Sequence, residues 1–142
     1  LSKAFYGQTN TAKFYALNGL LNLFQNFPDY TSILEKNHGI NIITENLESE
    51  DQRLRICSSH ILLQCIKAPN FPLLKLYEYN SAQTMLSRFE WNDDKLHISC
   101  IENINELINT DDDKIMQQII IDINKTNFFS LLVPLSFAVK EN

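Results

Sequence analysis

The sequence predicts an all-α protein, a short right-handed α-solenoid of about three repeats. Three observations lead there. Three long segments, Thr11–Phe27, Asp51–Lys67 and Asp94–Asn109, carry apolar residues at spacings of three and four, the mark of a helix with one buried face. Each is followed by two shorter helical segments, so an order of long, short, medium recurs along the chain. With only three glycines and no Gly-rich hairpin turn, nothing reads as a strand; the run Ile119-Ile120-Ile121 falls inside helical spacing.

The elements follow in chain order. The first long helix opens near Asn10 and is stopped by Phe27-Pro28. A short helix spans Asp29–Lys36, and a medium one, opened by Gly39, spans Gly39–Leu47. The acidic turn Glu48-Ser49-Glu50-Asp51 leads into the second long helix, with Glu50 suited to the N-cap, and Ala68-Pro69-Asn70 ends it. A short helix over Leu73–Asn80 and a medium one over Ala82–Trp91 complete that unit. The third long helix starts beside Asn92, stops at Thr110 and three aspartates, and is followed by helices over Asp112–Asn124 and Asn127–Ala138.

Overlaying the long helices aligns Ala16 with Cys57 and Cys100, at spacings of 41 and 43 residues. Leu20, Ile61 and Ile104 follow in phase, then Phe24, Cys65 and Ile108. A small residue followed by large apolar ones lets neighbouring helices approach at one point and interdigitate elsewhere. A period of about 40 to 47 residues is that of armadillo and HEAT solenoids. The stretch "ALNGLLNL", Ala16–Leu23, resembles the third helix of armadillo repeats through Ala16, Leu20, Asn22 and Leu23. "NHGINIITENLESEDQRLRICSSHIL" resembles the next repeat, with Gly39-Ile40 where the second helix opens and Leu47 where it closes, while Asp51 and Arg55 resemble the Asp and Arg of HEAT units.

That resemblance implies a peptide-binding groove along the third helices, with an asparagine gripping the peptide backbone and a nearby tryptophan forming pockets. The asparagine position reads Asn22, Leu63 and Glu106, and the tryptophan position reads Asn18, Ser59 and Glu102. Only Asn22 keeps the pattern, so a looser protein-binding surface is expected, contacted by Asn18, Asn22, Ser59, Glu102 and Glu106. Glu102 and Glu106, four apart on one helical face, are suited to a partner with a basic segment. Armadillo-like segments of this sort occur in formins and in fungal cell-division kinases and their scaffolds, which gives the alternative of a regulatory domain in a multidomain signalling or cytoskeletal protein. The C-terminal stretch "NFFSLLVPLSFAV" is apolar around much of its circumference, and Phe128, Leu131 and Leu135 are expected as contacts of a homodimer or of a further repeat.

Charge and composition narrow the functional classes. A chain of 142 residues, 44% hydrophobic, is expected to form one domain spanning residues 1–142. A formal charge of -5, with lysines and arginines scattered singly, argues against nucleic acid. No apolar run approaches the roughly 20 residues of a membrane helix, because Ser130, Pro134 and Ser136 interrupt Phe128–Val139. An odd number of cysteines without framework spacing fits a reducing cytosol or nucleus better than the extracellular space. The start Leu1-Ser2-Lys3, with neither methionine nor leader pattern, reads as a piece of a longer cytoplasmic polypeptide.

The sharpest chemical candidate is the pairing of Cys57 with His60 and of His97 with Cys100, three apart on two helices that a repeat would stack. The cysteines fall on the small core position, and the histidines lie on opposite sides of them, which separates the four groups. No phosphate loop, nucleophile elbow or carboxylate pair is marked. The expectation is a non-catalytic interaction or dimerisation module with no metal and no cofactor. His60 stands out, because a bulky ionisable side chain at a position where the family prefers alanine needs an exposed edge or a hydrogen-bond partner.

Overall fold

The structure, a computed structural model, describes residue 5, residues 7–36 and residues 38–126. The expected helix Asn127–Ala138, with Phe128, Leu131 and Leu135, lies outside them. The described residues are all-helical, with no strand among them. In chain order they form α1 (Asn10–Asn26), a 3-10 helix (Pro28–Glu35), α2 (Gly39–Asn46), α3 (Gln52–Lys67), α4 (Leu74–Glu78), α5 (Ser81–Ser87), a short 3-10 turn (Arg88–Glu90), α6 (Asp94–Ile108) and α7 (Asp113–Lys125).

The long helices start one residue away from the expected caps. Thr9 Oγ1 accepts from the Ala12 amide, Asp51 from Arg53, and Asp93 from Leu96, so the caps are Thr9, Asp51 and Asp93 rather than Asn10, Glu50 and Asn92. In each case the chosen side chain reaches an otherwise orphaned first-turn N–H. The segment after Pro28 is a 3-10 helix instead of an α-helix, with the Thr31 and Ser32 hydroxyls donating to the carbonyls of Pro28 and Asp29.

Both short-to-medium turns use the same conformation. His38 and Asn80, at φ 58° and 57°, stand in the left-handed region immediately before α2 and α5. At Gly39 a Cβ would sit 2.8 Å from the Leu34 Cα, so glycine is what lets α2 close onto the 3-10 helix.

Packing follows sequence order. α1 packs on α3 and α3 on α6, while α2 lies against α3 and α5 against α6 and α7. The shared core includes Leu17, Phe24, Ile61, Leu62, Cys65, Met85, Cys100 and Leu107, all buried. The predicted alignment slips in two places. Ala16 is exposed and Leu17 takes the place beside Cys57 and Cys100, while Leu107 is buried and Ile108 faces solvent. The cause is that α1 turns Leu17, Leu21 and Phe24 inward, a face rotated by about one residue from the one that Ala16 and Leu20 mark.

Two buried hydroxyl pairs join helices distant in sequence. Ser59 Oγ lies 2.6 Å from Ser99 Oγ, linking α3 to α6, and Thr44 Oγ1 lies 2.6 Å from Ser81 Oγ, linking α2 to α5. Ser59 and Thr44 already donate their single protons to the Ile56 and Ile40 carbonyls, so Ser99 and Ser81 are the donors across the interfaces.

A third junction carries charge. Asp93, the cap of α6, is also the acceptor for Arg55 of α3, at 2.8 Å from Nη2, and for Gln52 Nε2 at 3.1 Å. Arg55 Nη1 donates in addition to the carbonyls of Ser49 and Glu50, and the guanidinium stands over the Trp91 ring, against whose face Arg88 packs at 4.2 Å. Burial of the Asp93 carboxyl raises its pKa, but the hydrogen bonds from Arg55, Gln52 and the Leu96 amide outweigh that, and the net shift is downward from the ordinary 3.8.

A carboxyl whose folded pKa lies below its unfolded value stabilises the fold fully above the unfolded value and loses that contribution as pH falls through the folded one. Urea unfolding is therefore expected to show stability declining below about pH 4. Asp93→Asn should be less stable at neutral pH and show a shallower acid decline; an unchanged acid profile in that variant would contradict the assignment.

Candidate interaction surfaces

The residues singled out by the sequence fall into three environments. Asn18 is half-buried and lines a cavity of about 330 Å³ between α1 and α3. Phe14 joins it from α1, Arg53, Ile56 and His60 from α3, and Lys95 from the start of α6. Arg53 is held by Asp51 at 2.8 Å and by Thr11 Oγ1 at 3.3 Å, with its guanidinium over the Phe14 ring. The hydrogen bond from Arg53 is the main reason the Asp51 carboxyl titrates below its usual value. His60 is accommodated because its edge opens into this cavity. Asn22, one turn beyond Asn18, is exposed and outside the lining.

Ser59 is not at a partner surface. It is fully buried between α3 and α6, where its hydroxyl meets Ser99 and its carbonyl accepts from Asn103 Nδ2 at 2.9 Å. At Ser59 the face taken for a groove is thus turned onto α6. The matching Ser59 and Ser99 are the signal in the sequence, since small hydroxyl residues suit a close helix crossing whose polar groups must pair with each other.

Glu102 is exposed and Glu106 half-buried, and among the described residues neither stands in an ion pair. Ile98, Ile101 and Ile108, which are 60%, 41% and 40% exposed, line the neighbouring side of the same helix, with Ile98 one turn before Glu102. The two carboxylates stand out in the sequence, whereas the isoleucine stripe does not, and Ile108, aligned with the core positions Phe24 and Cys65, proves exposed.

The cysteine and histidine pairs stay apart in role. Cys57 and Cys100 are buried, and burial pushes their thiols up to about 11 and about 12; Cys65 is pushed up as well. His60 faces the cavity, whereas His97 is buried and stacked on Phe89 with the rings 5.2 Å apart. Among the described residues no three His, Cys, Asp or Glu side chains are grouped to hold a metal ion, and no helix is long and apolar enough to cross a membrane.

Comparison of the chain with protein-family models, with curated proteins and with solved structures finds no match.

A thiol that is both buried and protonated reacts slowly, because the thiolate is the nucleophile. A disulfide exchange reagent at pH 8 is expected to leave Cys57, Cys65 and Cys100 unmodified in the folded protein and to titrate all three after denaturation. Rapid native labelling of any one would contradict the packing described.

Proposed function

We propose that the chain is a non-catalytic protein-interaction module, a short right-handed solenoid of armadillo- or HEAT-like units within a larger cytosolic protein, and that its partner carries a basic segment. The recurrence of a long helix followed by two shorter elements over the first two stretches, the left-handed residue before α2 and α5 and the hydroxyl pairs from α2 to α5 and from α3 to α6 support the architectural part. The observation that carries the functional part is the exposed Glu102 with the half-buried Glu106 one turn on, on a flank of α6, without ion-pair partners among the described residues and with exposed isoleucines on the neighbouring side of the helix. Two carboxylates one helical turn apart attract a lysine- or arginine-bearing surface and steer its approach. Burial and protonation of the three cysteines give a thiol nucleophile no support, so the reading rests on surfaces rather than reactive groups.

The test is affinity capture with the full-length protein, wild type against the double charge reversal E102K/E106K. The reading predicts a protein captured by wild type, with contact mapped by crosslinking to this chain and capture reduced about tenfold or more by the reversal. Failure of wild type to bind any protein through this chain would overturn it.

A further inference from the structure

Resting on the interaction-module reading, we infer that the open face of α6 is the docking site for an amphipathic helix with a basic flank, supplied by another protein. At about 3.6 residues per turn, Ser99 and Asn103, which meet α3, point to one side of α6. Ile98, Ile101 and Ile108 point to the opposite side. The stripe therefore occupies the side where α6 would receive a further long helix if the succession α1, α3, α6 were extended.

The surface has the dimensions and chemistry of a helix-packing seam. A rise of about 1.5 Å per residue spreads Ile98 to Ile108 over about 15 Å, or close to three turns. Positions at three, seven and ten residues from the first form a straight ridge, suited to the groove of a second helix. The turn between Ile101 and Ile108 is filled by the exposed Asn105. Three isoleucines exposed by 40–60% share one side of the helix, interrupted by Asn105, and concentrate apolar surface in the way that marks a contact site.

Charge sets the partner's flank. Glu102 borders the stripe and Glu106 follows one turn on, while Asp111, Asp112 and Asp113 stand exposed just beyond its C-terminal end. Lys95 lies at the opposite, N-terminal end of the same flank. A complementary helix thus carries Lys or Arg where it faces Glu102 and Glu106 and apolar residues where it faces the isoleucines. An extended strand would satisfy the charges but would not interlock with a ridge of helical spacing.

The experiment uses the 142-residue chain and two synthetic helical peptides of about 20 residues, with the same leucine stripe and either lysines or glutamates on the flank. Fluorescence anisotropy is expected to show saturable binding of the lysine peptide and at least about tenfold weaker binding of the glutamate peptide. I98E/I101E, which alters only exposed side chains, should melt like wild type and lose the lysine peptide, and E102K/E106K should invert the preference between the peptides. Absence of lysine-peptide binding, as when residues 127–142 or a second copy of the chain already cover the stripe, would overturn the inference. So would a wild-type dimer in light scattering that I98E/I101E dissociates. The module reading fails separately: a partner captured by the full-length protein and retained by I98E/I101E overturns the α6 site while leaving that reading intact.

Discussion

Asp93 is the point on which the packing of α6 against α3 turns. One carboxylate caps α6, receives the Arg55 guanidinium and accepts from Gln52, so the start of the third long helix is tied to the first turn of the second. Arg55 in turn holds the Ser49 and Glu50 carbonyls of the α2–α3 connection and lies over Trp91. An ion pair taken out of water persists only when its remaining donors and acceptors are satisfied, and here they are met by backbone carbonyls, a helix-end amide and a glutamine. The pair therefore fixes more than a distance: it sets the register in which Ser59 reaches Ser99 and Asn103 reaches the Ser59 carbonyl. Without that register α6 would not present its isoleucines away from α3.

Most of the helical framework was legible because two local signals agreed. Apolar spacing gave the long helices, and polar or acidic residues near their starts (Asn10, Glu50 and Asn92), with proline or an aspartate run after their ends, gave their limits to within a residue of the observed caps Thr9, Asp51 and Asp93. Gly39 and the acidic turn before Gln52 read correctly as the opening of α2 and the entry to α3. What failed was the rotation of individual helices about their axes. Ala16 was expected inside because it is small, yet the inward face of α1 is set by which large residues find partners, and Leu17, Leu21 and Phe24 do.

The candidate interaction surface was half legible for a related reason. Charges declare themselves in a sequence, so Glu102 and Glu106 could be named. Ile98, Ile101 and Ile108 could not be separated from Leu96, Cys100, Ile104 and Leu107, because both faces of α6 are apolar and periodicity does not say which one is covered. Ser59 misled in the opposite sense: a polar residue assigned to a solvent groove proved to be a tie between helices, its hydroxyl and carbonyl both used there. A helix apolar on two sides leaves one apolar side uncovered when a single neighbour packs on the other, and on α6 that side carries Ile98, Ile101 and Ile108.

A double-mutant cycle on Arg55 and Asp93, with Arg55→Met, Asp93→Asn and the double variant followed by urea unfolding at pH 7, tests the central claim most directly. A network tie that sets the register predicts a coupling of about 1–3 kcal/mol between the two positions, with either single variant strongly destabilised. A coupling below about 0.5 kcal/mol, the range of a solvent-exposed surface pair, would contradict it.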